Sequence, residues 1–219
     1  MVDRGGKGII NNDQGANLVD TAVVNAHGFP VKEIAGGCFC CRFNSLRDAA
    51  DKLAIEYRPD VFLAEPVGSC TDLVATVSYP LRRMYGDRYR VAPLSVLVDP
   101  VRVLRILGVE DGKKFTEKVI YVYRKQLEEA DFIVINKSDS VEAERLDNLR
   151  AVLGREFPGK RVFTVSAREG TGLDEWFEAV RSNEPSSGSA MEVDYEIYAE
   201  GEALLGWLNA ALSMQAREE

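Results

Sequence analysis

The chain has 219 residues, 46% hydrophobic and 28% charged, the profile of a globular domain long enough to bury a core without disulfide or metal staples. A formal net charge of -8 and a pI near 4.9 exclude a broad phosphate-backbone footprint, since nucleic-acid binders draw affinity from clustered Lys and Arg. No apolar run is long enough to span a bilayer, and the opening MVDRGGKGIINNDQG lacks a signal-peptide pattern; no nucleic acid and no membrane is expected as a partner, and a cytoplasmic location is the default.

Apolar runs of strand length alternate with helical patterns along the chain. The first run, GIINN, is followed by Asn11, Asn12 and Asp13 at its end. Then Cys38, Cys40 and Cys41 crowd together, and behind them Leu46, Ala49, Ala50, Leu53, Ala54 and Tyr57 recur at helical spacing until Arg58-Pro59 ends the pattern. The second run, VFLAE, ends at Glu65 before Pro66-Val67-Gly68, and the third, LSVLVD, ends at Asp99. A helical stretch from Phe115 to Ala130 leads into the fourth run, FIVIN, which opens onto Asn136-Lys137-Ser138-Asp139. Another helix over Val141 to Phe157 precedes the fifth run, VFTVS, with Ser166-Ala167 at its end, and a last helix runs from Leu173 toward Arg181.

Residues 182–192 read as a linker. Within 193–219 an amphipathic helix from Tyr198 to Met214 is expected, with Leu204, Trp207, Leu208, Ala211 and Leu212 on one stripe. The alternation over residues 1–181 predicts an α/β domain with a mostly parallel sheet flanked by helices. Ligands of such sheets bind beyond the carboxyl ends of the strands, and polar residues gather there repeatedly in this sequence.

Asn-Lys-x-Asp directly after an apolar strand suits the reading of guanine. The Asp139 carboxylate can accept from both N1–H and the exocyclic amine of that base, a donor pair that adenine lacks. The Asn136 amide can reach the O6/N7 side and the Lys137 stem can lie over the purine. A plain polar turn is the alternative, since all these residues are common in loops. Ser166-Ala167 after the next strand strengthens the first reading, because a Ser-Ala in that place in GTPases offers a backbone N–H to guanine O6.

Three cysteines within four positions are ill suited to a disulfide framework and better suited to reduced thiols. Their sulfurs are soft donors for zinc, copper(I) or cobalt, and Gly36-Gly37 lets the chain turn tightly beside them. His27 is the sole histidine. Full coordination would therefore need carboxylate, water, Cys70 or a second subunit, and an incomplete, exchangeable site fits delivery better than structure. Inert thiols in a buried turn are the alternative.

The stretch GGCFCC from Gly36 to Cys41 resembles the Gly-Cys-x-Cys-Cys motif of the CobW branch of the CobW/HypB/UreG metal-chaperone GTPases. NNDQG, the Glu-x-x-Gly of Glu65 to Gly68, and Glu128-Glu129-Ala130-Asp131 are also similar, so the resemblance spans residues 7 to 181. It implies a P-loop NTPase-like fold that couples GTP/GDP state to the loading and delivery of Zn²⁺ or Co²⁺ to a client metalloenzyme or cofactor-pathway protein, with a homodimer possible. It also implies that Asp13 and Glu65 act near Mg²⁺ and the terminal phosphate as the catalytic pair, while no catalytic role falls to Asp99.

No G-x-x-x-x-G-K-[ST] phosphate loop occurs in the sequence; in Gly5-Gly6-Lys7-Gly8 the lysine precedes glycine and a strand pattern. The expectation is a family domain lacking its first strand, phosphate loop and helix, and impaired in GTP hydrolysis. The rival is a non-enzymatic metal-binding or regulatory module. A third reading, a structural partner completing its sheet with another polypeptide, would use the C-terminal helix for docking; packing of that helix on its own domain is favoured.

Overall fold

The computed structural model describes residues 6–13, 15, 18–112, 115–182 and 191–205. Two compact units are formed, one carrying the described residues up to Cys70 and the other Thr71–Leu204. None of the described helices is long and apolar enough to cross a membrane.

In the first unit β1 (Lys7–Asp13) lies between β2 (Val31–Ala35) and β3 (Val61–Glu65), all parallel. Parallel neighbours need crossover connections, here α1 (Val19–Ala26) and α2 (Phe43–Tyr57). Leu46, Ala49 and Leu53 of α2 are buried, and the helix lies along β1 and β2. Tyr57, expected on the same stripe, is the last helical residue, and the chain turns away at Arg58 in the left-handed region (φ 49°) before Pro59. Its ring is left 56% exposed. β2 has no place among the apolar runs of the sequence because Lys32 and Glu33 interrupt it; pairing with β1 and the burial of Ile34 hold it as a strand.

The second unit begins with a π-helical turn (Val74–Ser78) and α3 (Tyr79–Tyr85), followed by β4 (Ser95–Val98), α4 (Pro100–Ile106) and α5 (Glu117–Glu129). Then come β5 (Phe132–Ile135), α6 (Ala143–Glu156), β6 (Arg161–Thr164) and α7 (Leu173–Ser182). β5 sits between β4 and β6 in a second parallel sheet. Successive residues of a strand face opposite sides. Ile133 and Ile135 accordingly pack with Val103, Leu127, Leu149 and Leu153, whereas Phe132 and Val134 pack with Phe163, Val165 and Ala179. Apolar cover on both faces explains why FIVI is an unbroken hydrophobic run. The fold is α/β with parallel strands flanked by helices, as expected, although the strands divide between two three-stranded sheets rather than forming one.

The last described helix, α8 (Tyr195–Ala203), begins earlier than the periodicity predicts because Asp194 caps it, accepting from the Glu196 and Ile197 amides. Leu204 lies past its end and is exposed; Trp207, Leu208, Ala211 and Leu212 fall outside the described residues, as do 183–190 of the expected linker. α8 packs on α5 within the second unit, Lys118 pairs with Glu200, and a Cβ at Gly201 would stand 2.6 Å from the Lys118 carbonyl oxygen. The Tyr195 hydroxyl donates to Asp72, which is buried with φ 61°.

Glu129 ends α5 beside Asp72 and accepts the Val74 amide at 2.5 Å. Burial, followed by the neighbouring Asp72 charge, raises its pKa to about 7 against the restraining Val74 hydrogen bond. A carboxyl that binds its proton more tightly when folded favours the native state at low pH, and this contribution is lost as pH rises from the ordinary carboxylate range through about 7. Glu129→Gln should therefore gain stability relative to wild type by on the order of 1 to 3 kcal/mol between pH 5 and pH 8. Urea denaturation at both pH values reads this difference, and parallel pH profiles would remove the assignment.

Candidate functional site

β5 and β6 are parallel neighbours, so the segments after both emerge at one edge of the second unit. The Asn136 side-chain oxygen accepts the Lys137 amide at 2.8 Å and the Ala167 amide at 3.0 Å, joining the two loops. Ser138 N donates to Val165 O at 3.1 Å, and the Ser166 hydroxyl donates to Asp139. Asn136, Lys137, Asp139, Ser166 and Ala167, drawn from two stretches of sequence, thus form one rim. Gly172 (φ 73°) closes the second loop so tightly that a Cβ there would stand 2.3 Å from the Thr164 carbonyl oxygen.

The electrostatics of the rim suit a ligand with N–H donors. The Ser166 hydroxyl, foremost, holds the Asp139 carboxyl below the ordinary range, so it is an ionised acceptor at neutral pH. Lys137 is held in the left-handed conformation (φ 59°) and its ammonium contacts Asp99 at 2.9 Å. Burial works against ionisation of Asp99, yet the Arg102 amide and the Lys137 ammonium together keep its pKa below the ordinary value. Asp99 also caps α4 through that Arg102 amide. Its position is therefore beside the rim, as the holder of Lys137.

In the first unit the register sets Asn11 of β1 opposite Glu65 of β3, so Asp13 and Glu65 leave the sheet at the same edge. Both line a cleft of about 150 Å³, joined by Asn12 and by Asp20 from the first turn of α1. Asp20 was not among the residues expected from the sequence, because α1 is short and none of its residues is buried. Its helix position, one turn from the end of the Asp13 loop, is the only signal that could have pointed to it. Desolvation, with a smaller contribution from Asp20, raises the Glu65 pKa. Three carboxylates with amide oxygens beside them form a hard-oxygen donor set of the kind magnesium takes.

Gly36 (φ 74°) and Gly37 (φ 146°) supply backbone conformations that side-chain-bearing residues rarely adopt, and a turn follows in which the Cys41 and Arg42 amides donate to Cys38 O at 3.1 and 3.0 Å. The turn gathers the sulfurs of Cys38, Cys40 and Cys41 within 4.8 Å of one another. Cys38 and Cys40 are joined as a disulfide, where reduced thiols were expected; the bend brings their Cα atoms to 5.4 Å, inside the span a disulfide bridges. Cys41 lies 3.5 Å from the Cys38 sulfur and 3.7 Å from that of Cys40. Two thiolates sharing a tetrahedral zinc stand about 3.8 Å apart, close to the separation of Cys41 from each of the other two sulfurs, whereas Cys38 and Cys40 would have to be reduced and move apart to hold an ion together. His27 is not in the group; it ends α1 with Nδ1 2.8 Å from Val23 O. Cys70 is buried and also outside it.

The family model for the CobW/HypB/UreG nucleotide-binding domain matches residues 4–164, well over half of the chain, and the chain belongs to that family. Among solved structures, the hydrogenase maturation factor HypB from Archaeoglobus fulgidus is similar at 20% identity with a TM-score of 0.43, over 81% of this chain and 74% of that one. Comparison with curated proteins yields no match.

Replacing the Ser166 hydroxyl removes the chief cause of the low Asp139 pKa. Ser166→Ala should move the Asp139 titration upward toward the ordinary carboxylate range, as read by carbon NMR of the side-chain carboxyls. An unmoved midpoint would mean that the hydrogen bond is not formed in solution.

Proposed function

We propose that this chain binds GTP or GDP through the rim of Asn136, Lys137, Asp139, Ser166 and Ala167, and couples that binding to the handling of a transition metal as a metallochaperone. The rim carries the reading: the ionised Asp139 carboxylate can accept from the two N–H donors of guanine, a pair that adenine lacks. Asp13 and Glu65, with Asp20 beside them, would hold Mg²⁺, which supplies charge neutralisation for phosphates when bound. The thiols of Cys38, Cys40 and Cys41 would take Zn²⁺ or Co²⁺ as cargo for a client metalloenzyme or cofactor-pathway protein.

Calorimetry with GDP and ADP tests the nucleotide reading. GDP should bind more tightly, and Asp139→Asn should weaken it by about 1 to 3 kcal/mol, roughly five- to 150-fold, because an acceptor oxygen becomes a donor facing guanine's own donors. Equal affinities would remove the guanine assignment. The alternative reading is a non-enzymatic metal-binding or regulatory module that binds without turning over. GTP binding without phosphate release by the 219-residue chain would select it.

The metal reading has its own assay. Reduced protein titrated with Co²⁺ should develop thiolate-to-cobalt charge-transfer absorption, with protons released as thiols ionise. A variant with Cys38, Cys40 and Cys41 all changed to Ser should show none. Undiminished absorption in that variant would place the metal elsewhere.

A further inference from the structure

Asn12 belongs to two structures at once. Asn12 is among the residues that line the acidic cleft with Asp13, Asp20 and Glu65, and it is 6% exposed. Both of its N–H bonds are committed away from the cleft, one to Ile34 O at 2.9 Å and one to Gly37 O at 2.7 Å. Gly37 immediately precedes Cys38. The neighbouring backbone adds a second tie, with Gly36 N donating to Asp13 O at 3.1 Å. The base of the cysteine turn therefore rests on two consecutive residues, Asn12 and Asp13, which also line the cleft. Meanwhile the Asn12 side-chain oxygen is buried with no hydrogen-bond partner. A buried amide oxygen left unsatisfied costs free energy, and a cation is one partner able to satisfy it.

We propose that Asn12 is the positioning residue through which a divalent cation in the acidic cleft tightens metal binding by the cysteine turn. The proposal rests on the reading of the cleft and the turn given above. An amide whose oxygen faces a cation is polarised, and its N–H groups become stronger donors, as charge-assisted hydrogen bonds do. The Gly37 carbonyl is then held more firmly and the turn loses freedom that metal binding would otherwise have to remove. Preorganisation raises affinity without adding a contact. Charge repulsion between two cations acts in the opposite direction, so the sign of the effect separates the two mechanisms. By linkage the cysteine-bound metal must tighten the cleft's hold on its cation by the same factor.

The test uses the full chain under reducing conditions, with Mg²⁺ in the cleft and Co²⁺ on the cysteines. Charge-transfer absorption reports the cysteine site alone, because oxygen ligands give no such band. In wild type, saturating Mg²⁺ should strengthen Co²⁺ binding at least fivefold, within the range typical of coupled sites. Asn12→Asp keeps the shape but presents a carboxylate to the Ile34 and Gly37 carbonyls; it should still bind Co²⁺, with the Mg²⁺ effect reduced below twofold. Since a buried position in a central strand can cost folding, an independent readout uses unaltered protein: the Asn12 side-chain amide resonances should shift on titration with Mg²⁺ and again with Zn²⁺. Equal Mg²⁺ coupling in wild type and Asn12→Asp overturns the proposal, as do weakened Co²⁺ binding in Mg²⁺ or unmoved Asn12 resonances. No charge-transfer band in wild type would instead overturn the metal reading itself, and the inference with it.

Discussion

A strand buried on both faces cannot slip. Phe132 to Ile135 feeds large side chains alternately into two separate apolar clusters, so a shift of one residue would exchange phenylalanine and valine for isoleucine in packed surroundings and draw the Asn136 amide into the core. Where the strand ends is thereby fixed, and with it the first polar residue. Everything on the rim follows from that end point: the oxygen of Asn136 reaches Ala167 only because β6 is the neighbouring strand in matching register.

The first unit solves a related problem with less burial. β1 is flanked on both sides, and its carboxyl end carries Asn12 and Asp13 to the same edge as Glu65. Here the polar residues continue back into the strand, and Asn11 and Asn12 are buried within it. Asn11 reaches Thr21 of α1, and Asn12 reaches Ile34 of β2 and Gly37 just before the cysteines. Amide side chains thus do in this unit what apolar packing does in the other: they fix the loops relative to the strand ends.

Strands and helices with strong patterns were legible in the sequence. α2, α5, α6 and α7 appear within a few residues of their expected limits, because each has an apolar face and a stop. β2 and α1 were not legible, the one carrying charges inside a strand and the other having no buried residue, so that tertiary pairing alone defines them. The rim residues could be named in advance since their chemistry sits directly after an apolar run. Asp20 and the clamping role of Asn12 could not, because both depend on what a folded neighbour brings close. The Cys38–Cys40 disulfide likewise arises from a local bend that composition cannot convey.

Gly201 decides how closely the last described helix can approach its neighbour. Where α8 crosses α5, backbone meets backbone, and the space for even one additional carbon is filled by Lys118 O and the Val122 side chain. Any larger residue at position 201 would have to lift α8 off α5. One hydrogen in place of a side chain thus sets the distance between the two helices, and the ion pair of Lys118 with Glu200 can close only at that distance.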